Sequence, residues 1–266
     1  RMQADKNELT PQELAWFREL KLLCETHHME VSSDYEIACY ALVCKGSTVK
    51  ALSRMAKMKK LEREHNLSSI DSVTAYQTLA KLCPGMFAAC GRDKQGRPAI
   101  FFDFSKCFPS AISGGGEEAW KCTLKVLLDA FDASTASIHD VREGTSWLCN
   151  CNGMGWSNFS FEMEKKISML YQDGYPIKIK AMYLSNPPFI LNAMISICKV
   201  FLKKKLQERI KTIRQDRASD FFEQQNIPQV LAGSFQVKYE DWLKDQLATR
   251  QKSVAAFTAQ VAPSAS

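Results

Sequence analysis

The chain has 266 residues, of which 45% are hydrophobic and 24% charged, with a formal net charge of +6. That is enough for one large domain, or a small and a medium one, and the balance is that of a globular, soluble protein with a real core. No apolar run reaches the roughly 20 residues of a membrane-spanning helix, which excludes such a span within this chain.

Arg1 to Lys6 is polar and carries no apolar signal core. The first ninety residues read as helical. Thr10-Pro11-Gln12-Glu13 has the form of a capping box with proline at the first helical position, and Leu14, Phe17, Leu20 and Cys24 follow on one stripe. Further helices are predicted over 33–44, 48–66 and 72–82, the last broken by Pro84-Gly85.

The pattern changes after Gly91. A turn at Asp93-Lys94-Gln95-Gly96-Arg97-Pro98 leads into a strand over 99–104. Gly114-Gly115-Gly116 reads as a flexible loop before an amphipathic helix carrying Trp120, Leu124, Leu127, Leu128 and Phe131. A strand over 145–150, a helix over 161–171 and a strand over 177–184 follow. Alternating strands and helices predict βαβ units and a largely parallel sheet. Next come Ser185-Asn186-Pro187-Pro188, an apolar helix over 189–202, and a basic helix beyond it. Eight cations between Lys199 and Arg217 against two acids carry the whole net charge and point to an anionic partner, lipid headgroups before nucleic acid. The Ala/Ser/Gln-rich tail beyond Arg250 reads as frayed.

No catalytic constellation stands out, and the chain is not read as an enzyme. Cys24-Glu25-Thr26-His27-His28 is half a metal site without a second pair, and no metal is expected. The ten cysteines are scattered and read as reduced, mostly buried thiols of a cytosolic protein; Cys149 and Cys151 share one face of a strand. Gly153-Met154-Gly155 partly resembles a dinucleotide-binding turn but has Asn158 at the third glycine position. The sequons at Asn66 and Asn158 read as chance.

Several segments, in order, resemble the CRAL-TRIO (Sec14-like) lipid-binding and transfer family, in particular its tocopherol-transfer and retinal-binding branch. They are Lys50-Ala51-Leu52, the Asp93 to Pro98 turn with the strand after it, and Asn152-Gly153-Met154-Gly155-Trp156-Ser157. Tyr175-Pro176, then Tyr183-Leu184-Ser185-Asn186-Pro187-Pro188-Phe189, Lys205-Leu206-Gln207-Glu208-Arg209-Ile210, and Ile227-Pro228 through Gly233 complete the set. The resemblance implies an α/β fold: a helical N-terminal module (1–90), a βαβ lipid-binding domain with a mobile gate helix over 189–202 (91–250), and a C-terminal tail (251–266). It implies a cytoplasmic carrier, peripheral at membranes, for a hydrophobic ligand such as a retinoid, tocopherol or phospholipid, without a cofactor. Apolar residues on several faces of the gate support this independently, because a surface helix ordinarily hides one stripe.

Candidate pocket residues are Phe101, Leu128, Trp147, Cys149, Tyr183, Leu184, Phe189, Ile190, Ala193, Met194, Ile197 and Phe201, with Ser146, Ser185 and Asn192 as polar partners for a ligand head. Lys178, Lys180, Lys205 and Arg209 match a basic site for phosphoinositide headgroups in tocopherol-transfer-like members; Lys205 and Arg209 are placed one turn apart on a helix. Alternatives from other classes are a phosphoinositide-sensing scaffold that moves no cargo and a nucleotide-binding α/β enzyme.

Overall fold

Three of the four helices ahead of the sheet begin where the sequence supplies an acceptor. At the start of α1 (Pro11–Thr26), Thr10 Oγ1 accepts the Glu13 N–H at 3.3 Å and Glu13 accepts the Thr10 N–H at 2.9 Å. Ser33 and Asp71 cap α2 (Asp34–Val43) and α4 (Ser72–Leu82), whereas α3 (Thr48–Glu64) starts without a side-chain cap. Helix α2 is buried on all sides, from Tyr35 through Leu42 except for half-buried Glu36, so it forms a core rod. It packs against α1 and α3, and against α7 and α11, introduced below. This computed structural model describes residues 7–261; the expectations placed on Arg1 to Lys6 and on the stretch after Val261 lie outside the described residues.

Five strands form one sheet: β1 (Phe87–Ala88), β2 (Ala99–Asp103), β3 (Thr145–Asn150), β4 (Ile179–Ser185) and β5 (Ile210–Ile213). The order is sequential, β1 is antiparallel to β2, and the other pairs are parallel. Parallel strands wound in sequence send their crossovers over one face. These are α5 (Pro109–Gly114), α6 (Gly116–Ser134) and α7 (Ile138–Glu143), then α8 (Phe161–Met169), then α9 (Phe189–Cys198) and α10 (Lys204–Gln207). The predicted parallel sheet is present, and two short edge strands join the three that were predicted. One of them, β5, replaces the expected basic helix: the chain turns once as α10, then extends. Gly114 to Gly116 is a tight junction between α5 and α6 rather than a loop.

Strand register fixes which side chains meet which layer. Ala99, Ser146 and Ala181 align across the sheet, as do Phe101, Leu148 and Tyr183. Apart from Ser146, these belong to a small apolar cluster with Phe222, Ile227 and Leu231, under the sheet. Ile100, Phe102, Trp147, Met182 and Leu184 alternate onto the helical side and join the main core.

The last helix, α11 (Tyr239–Val261), runs through the expected frayed region and stays ordered to Val261. Phe257 packs edge-on to Phe17 and Tyr35, at ring-centroid distances of 5.6 and 5.8 Å. Arg250 pairs with Asp132 at 2.8 Å and donates to the Thr135 carbonyl at 2.6 Å; the same carbonyl accepts the Tyr35 hydroxyl at 2.9 Å. One apolar cluster therefore runs from α1 through the sheet's upper face to α11.

Candidate functional site

Between the sheet and its crossover helices lies a cavity of about 110 Å³. Phe102, Trp147, Met182, Leu184 and Ile210, one or two from each of β2 to β5, form its floor. Met163, Glu164, Ile167 and Tyr171 form one wall, from α8 and the turn of π-helix that follows it. Leu191, Met194, Ile195 and Cys198 from α9, with Phe201 and Leu202 beyond it, form the roof. Met86 and Met154 raise the methionines of the lining to five, and such unbranched, polarizable side chains repack around irregular shapes.

The roof helix has two apolar faces. Positions 191, 194, 195 and 198 follow the i, i+3, i+4, i+7 spacing of one helical face and point inward. Outward stand Phe189 at 93% exposure, Val200 at 77% and Ile197 at 38%. The helix ends at Cys198 rather than running on to 202. Gln172 ties the following turn, donating to the Phe201 carbonyl at 3.2 Å and accepting the Lys203 N–H at 2.7 Å.

Of the pocket residues expected from sequence, Trp147, Leu184, Met194 and Phe201 line the cavity. Phe101, Ser146 and Tyr183 do not: strand alternation puts them under the sheet, and their neighbours Phe102 and Met182 take the cavity positions. Cys149 is buried on the helical side but outside the lining, and Leu128 lies one helical step from Leu127, which is in it. Phe189, Ala193 and Ile197 face outward and Ile190 is half-buried against the core. Ser185 is buried without a hydrogen bond for its hydroxyl, and Asn192 is exposed. Sequence reading missed Phe102, Met154, Met163, Glu164, Ile167, Tyr171 and Met182 as pocket residues. A one-residue shift in strand facing would have found two of them, and the stripe Met163, Ile167, Tyr171 was legible only as a core face.

The basic residues gather more selectively than their run in sequence implies. Arg209 leads into β5 and donates to the Ile179 carbonyl, so it is not one turn from Lys205 on a common helix. Burial lowers the Lys180 pKa, and the positive charges of Arg209, Arg97 and Lys205 lower it further. Burial pushes Lys178 down to about 8, with help from Lys180 and Lys45. Gly144, at φ +81°, makes room for this strand: a Cβ there would lie 2.5 Å from the Lys178 carbonyl oxygen and 2.9 Å from the Lys180 side chain. Other cations of the run go elsewhere. Lys203 pairs with Asp173, Arg214 with Asp216 at 2.9 Å and Arg217 with Asp220 at 2.5 Å. Lys211 sits over the Tyr183 and Phe221 rings under the sheet.

The Gly153-Met154-Gly155 turn spends its groups locally. Gly155 N–H donates to Asn158 Oδ1 at 2.9 Å, Asn158 Nδ2 donates to the carbonyls of Ser105 and Cys107, and Met154 enters the cavity wall.

A sheet-floored apolar pocket under a helix with two apolar faces defines a hydrophobic-ligand-binding α/β domain. Residues 84–233 match the CRAL/TRIO domain, and the chain belongs to that family, whose members bind and transfer lipids. The chain is 22% identical over 135 residues to tyrosine-protein phosphatase non-receptor type 9 of Mus musculus, a match covering 51% of this chain and 23% of that protein. It is 42% identical over 53 residues to the alpha-tocopherol transfer protein-like protein of Mus musculus, which covers 20% of this chain and 16% of that protein. The matches thus span less than a quarter of these relatives' length. The crystal structure of Sfh5 superposes with a TM-score of 0.54 at 10% identity, over 82% of this chain and 84% of that one, a likeness of fold. Among the described residues no helix is long and apolar enough to cross a membrane.

Proposed function

We propose that the chain is an intracellular carrier that takes up a hydrophobic molecule, a retinoid, a tocopherol-like terpenoid or a phospholipid, and passes it between membranes without catalysis. The observation that carries this reading is α9, whose inner face roofs an apolar cavity while Phe189 and Ile197 stand exposed on the outer one, with Val200 exposed in the turn beyond. Burying hydrocarbon gains about 25 cal/mol per Å², so a ligand with several hundred Å² gains on the order of 10 kcal/mol before the entropic cost of binding. The cavity of about 110 Å³ is below the roughly 300–1,000 Å³ of small-molecule pockets. A full-length lipid therefore requires α9 to lift and the methionines to repack. A bilayer stabilises the lifted state by taking the exposed apolar face.

Lys178, Lys180, Lys205 and Arg209, with Lys45 beside them, are the proposed contact for an anionic headgroup, phosphoinositides included. A polyanion among them offsets the mutual repulsion that adds to burial in lowering the lysine pKa values. Native mass spectrometry and solvent extraction of the chain purified from cells test the carrier reading, with a retained hydrophobic ligand as the expected result. Repeated recovery of folded, empty chain that still binds anionic vesicles would favour the sensing scaffold. The headgroup contact is tested on phosphatidylcholine vesicles containing a phosphatidylinositol bisphosphate at low salt. Replacing the four cations by alanine should weaken binding at least tenfold; undiminished binding sinks that contact.

A further inference from the structure

One carboxyl group stands in the wall of the apolar cavity. Glu164 is on the first turn of α8, between the cavity residues Met163 and Ile167. Glu162 on the same helix pairs with Lys166 at 2.7 Å. The Glu164 carboxyl has no hydrogen bond or ion pair among the described residues, and no lysine, arginine or histidine lines the cavity. The start of a helix favours negative charge, but no N–H of that turn reaches this carboxylate.

Its surroundings come from four separate elements. Tyr171 lies in the π-turn, Cys107 ahead of α5, Cys149 on β3 and Cys198 on α9, and the Glu164 charge raises the pKa of each. All four are held neutral by burial. Burial alone pushes Glu164 up to about 7. Glu164 is half-buried by area and lines the cavity, so it is reachable by whatever fills the pocket. The Tyr171 hydroxyl, on the same wall, has no hydrogen bond either.

We infer that Glu164 determines the specificity of the pocket and selects an apolar ligand that carries a hydroxyl group. The inference rests on the carrier reading of the same cavity. A hydroxyl donates to the carboxylate and accepts from Tyr171, so the polar groups of one wall are satisfied together. A plain hydrocarbon leaves the buried carboxyl unpaired, which is unfavourable. A fatty-acid anion adds a second negative charge with no cation in the lining to offset it.

The test is displacement of Nile red from the wild-type chain and from Glu164→Gln and Glu164→Leu, titrated with decan-1-ol, decane, decanoate and decylamine, with intrinsic tryptophan fluorescence as a second readout. The ratio of displacing concentrations, decane over decanol, should fall at least tenfold in Glu164→Leu. A purely structural role would shift both probes together. Glu164→Gln should keep the preference for the alcohol and relieve the exclusion of decanoate. A ratio unchanged within about twofold in Glu164→Leu overturns the proposal, as does tighter binding of decylamine than of decanol. Should Glu164→Leu not fold, continued exclusion of decanoate by folded Glu164→Gln overturns it. In each of these cases the carrier reading survives, because the apolar probes still enter. Failure of all four probes to displace the dye from the wild type overturns the carrier reading instead.

Discussion

Glu164 also makes a statement about stability. In the unfolded chain its carboxyl titrates at the ordinary glutamate value of 4.5, and in the fold burial pushes it up to about 7. A raised carboxyl means that the folded state binds the proton more tightly. Its contribution is therefore whole below pH 4.5, falls as pH rises through about 7, and is lost above that. The cost of the charged form at pH 8 is on the order of 2 kcal/mol, discounted for the open side of the group. Glu164→Gln should melt a few degrees above wild type at pH 8 and level with it near pH 4.5. Thermal melts across that range check this, and equal melting temperatures at both ends would refute it. Nothing in the sequence singled this residue out. It sits in an amphipathic helix beside acids and lysines that face solvent, and only the assembled wall shows which acid faces in.

At the scale of elements, α9 lines the cavity with one face and exposes apolar side chains on the other. Phe189 and Val200 are almost bare, so Phe189→Asp with Val200→Asp should leave the melting temperature within about one degree while reducing flotation with anionic vesicles severalfold. Met194 is 1% exposed in the roof, and Met194→Ala should cost about 2–4 kcal/mol. A double aspartate variant that floats as well as wild type would remove the outer face from any role in docking. The N-terminal helices, three of the five strands and the apolar helix after β4 were legible because capping residues, Gly/Pro breaks and apolar periodicity are local signals. Strand β5 was not, because Ile210-Lys211-Thr212-Ile213 is a short edge strand inside a charge run. Strand facing was not, because Phe101 and Phe102 are equally apolar and only register decides between them. Counting charges along the basic run likewise says nothing about which salt bridges absorb them, as they do at Lys203, Arg214 and Arg217.

For the whole molecule, the C-terminal helix is a clasp. Arg250 is 16% exposed and bonds to Asp132 and Thr135, while Asp132 also accepts the Tyr175 hydroxyl next to the strand that carries Lys178. Removing the cation leaves a half-buried carboxylate without its partner, so Arg250→Ala should lower stability by about 2–4 kcal/mol, read as the urea midpoint. A loss below about 0.5 kcal/mol would show that α11 is held by Phe257 and its apolar neighbours alone.

The gate is part of the connection between β4 and β5, so both its ends are anchored to neighbouring strands of one sheet. Swinging it breaks no rung of that ladder. It gives up the side chains on its inner face and the Gln172 tether. The door and its frame are therefore mechanically separate. On the carrier reading, the sheet can be as stable as selection demands without slowing the roof helix, and cargo exchange can be retuned at Gln172 or Met194 without rebuilding the strands.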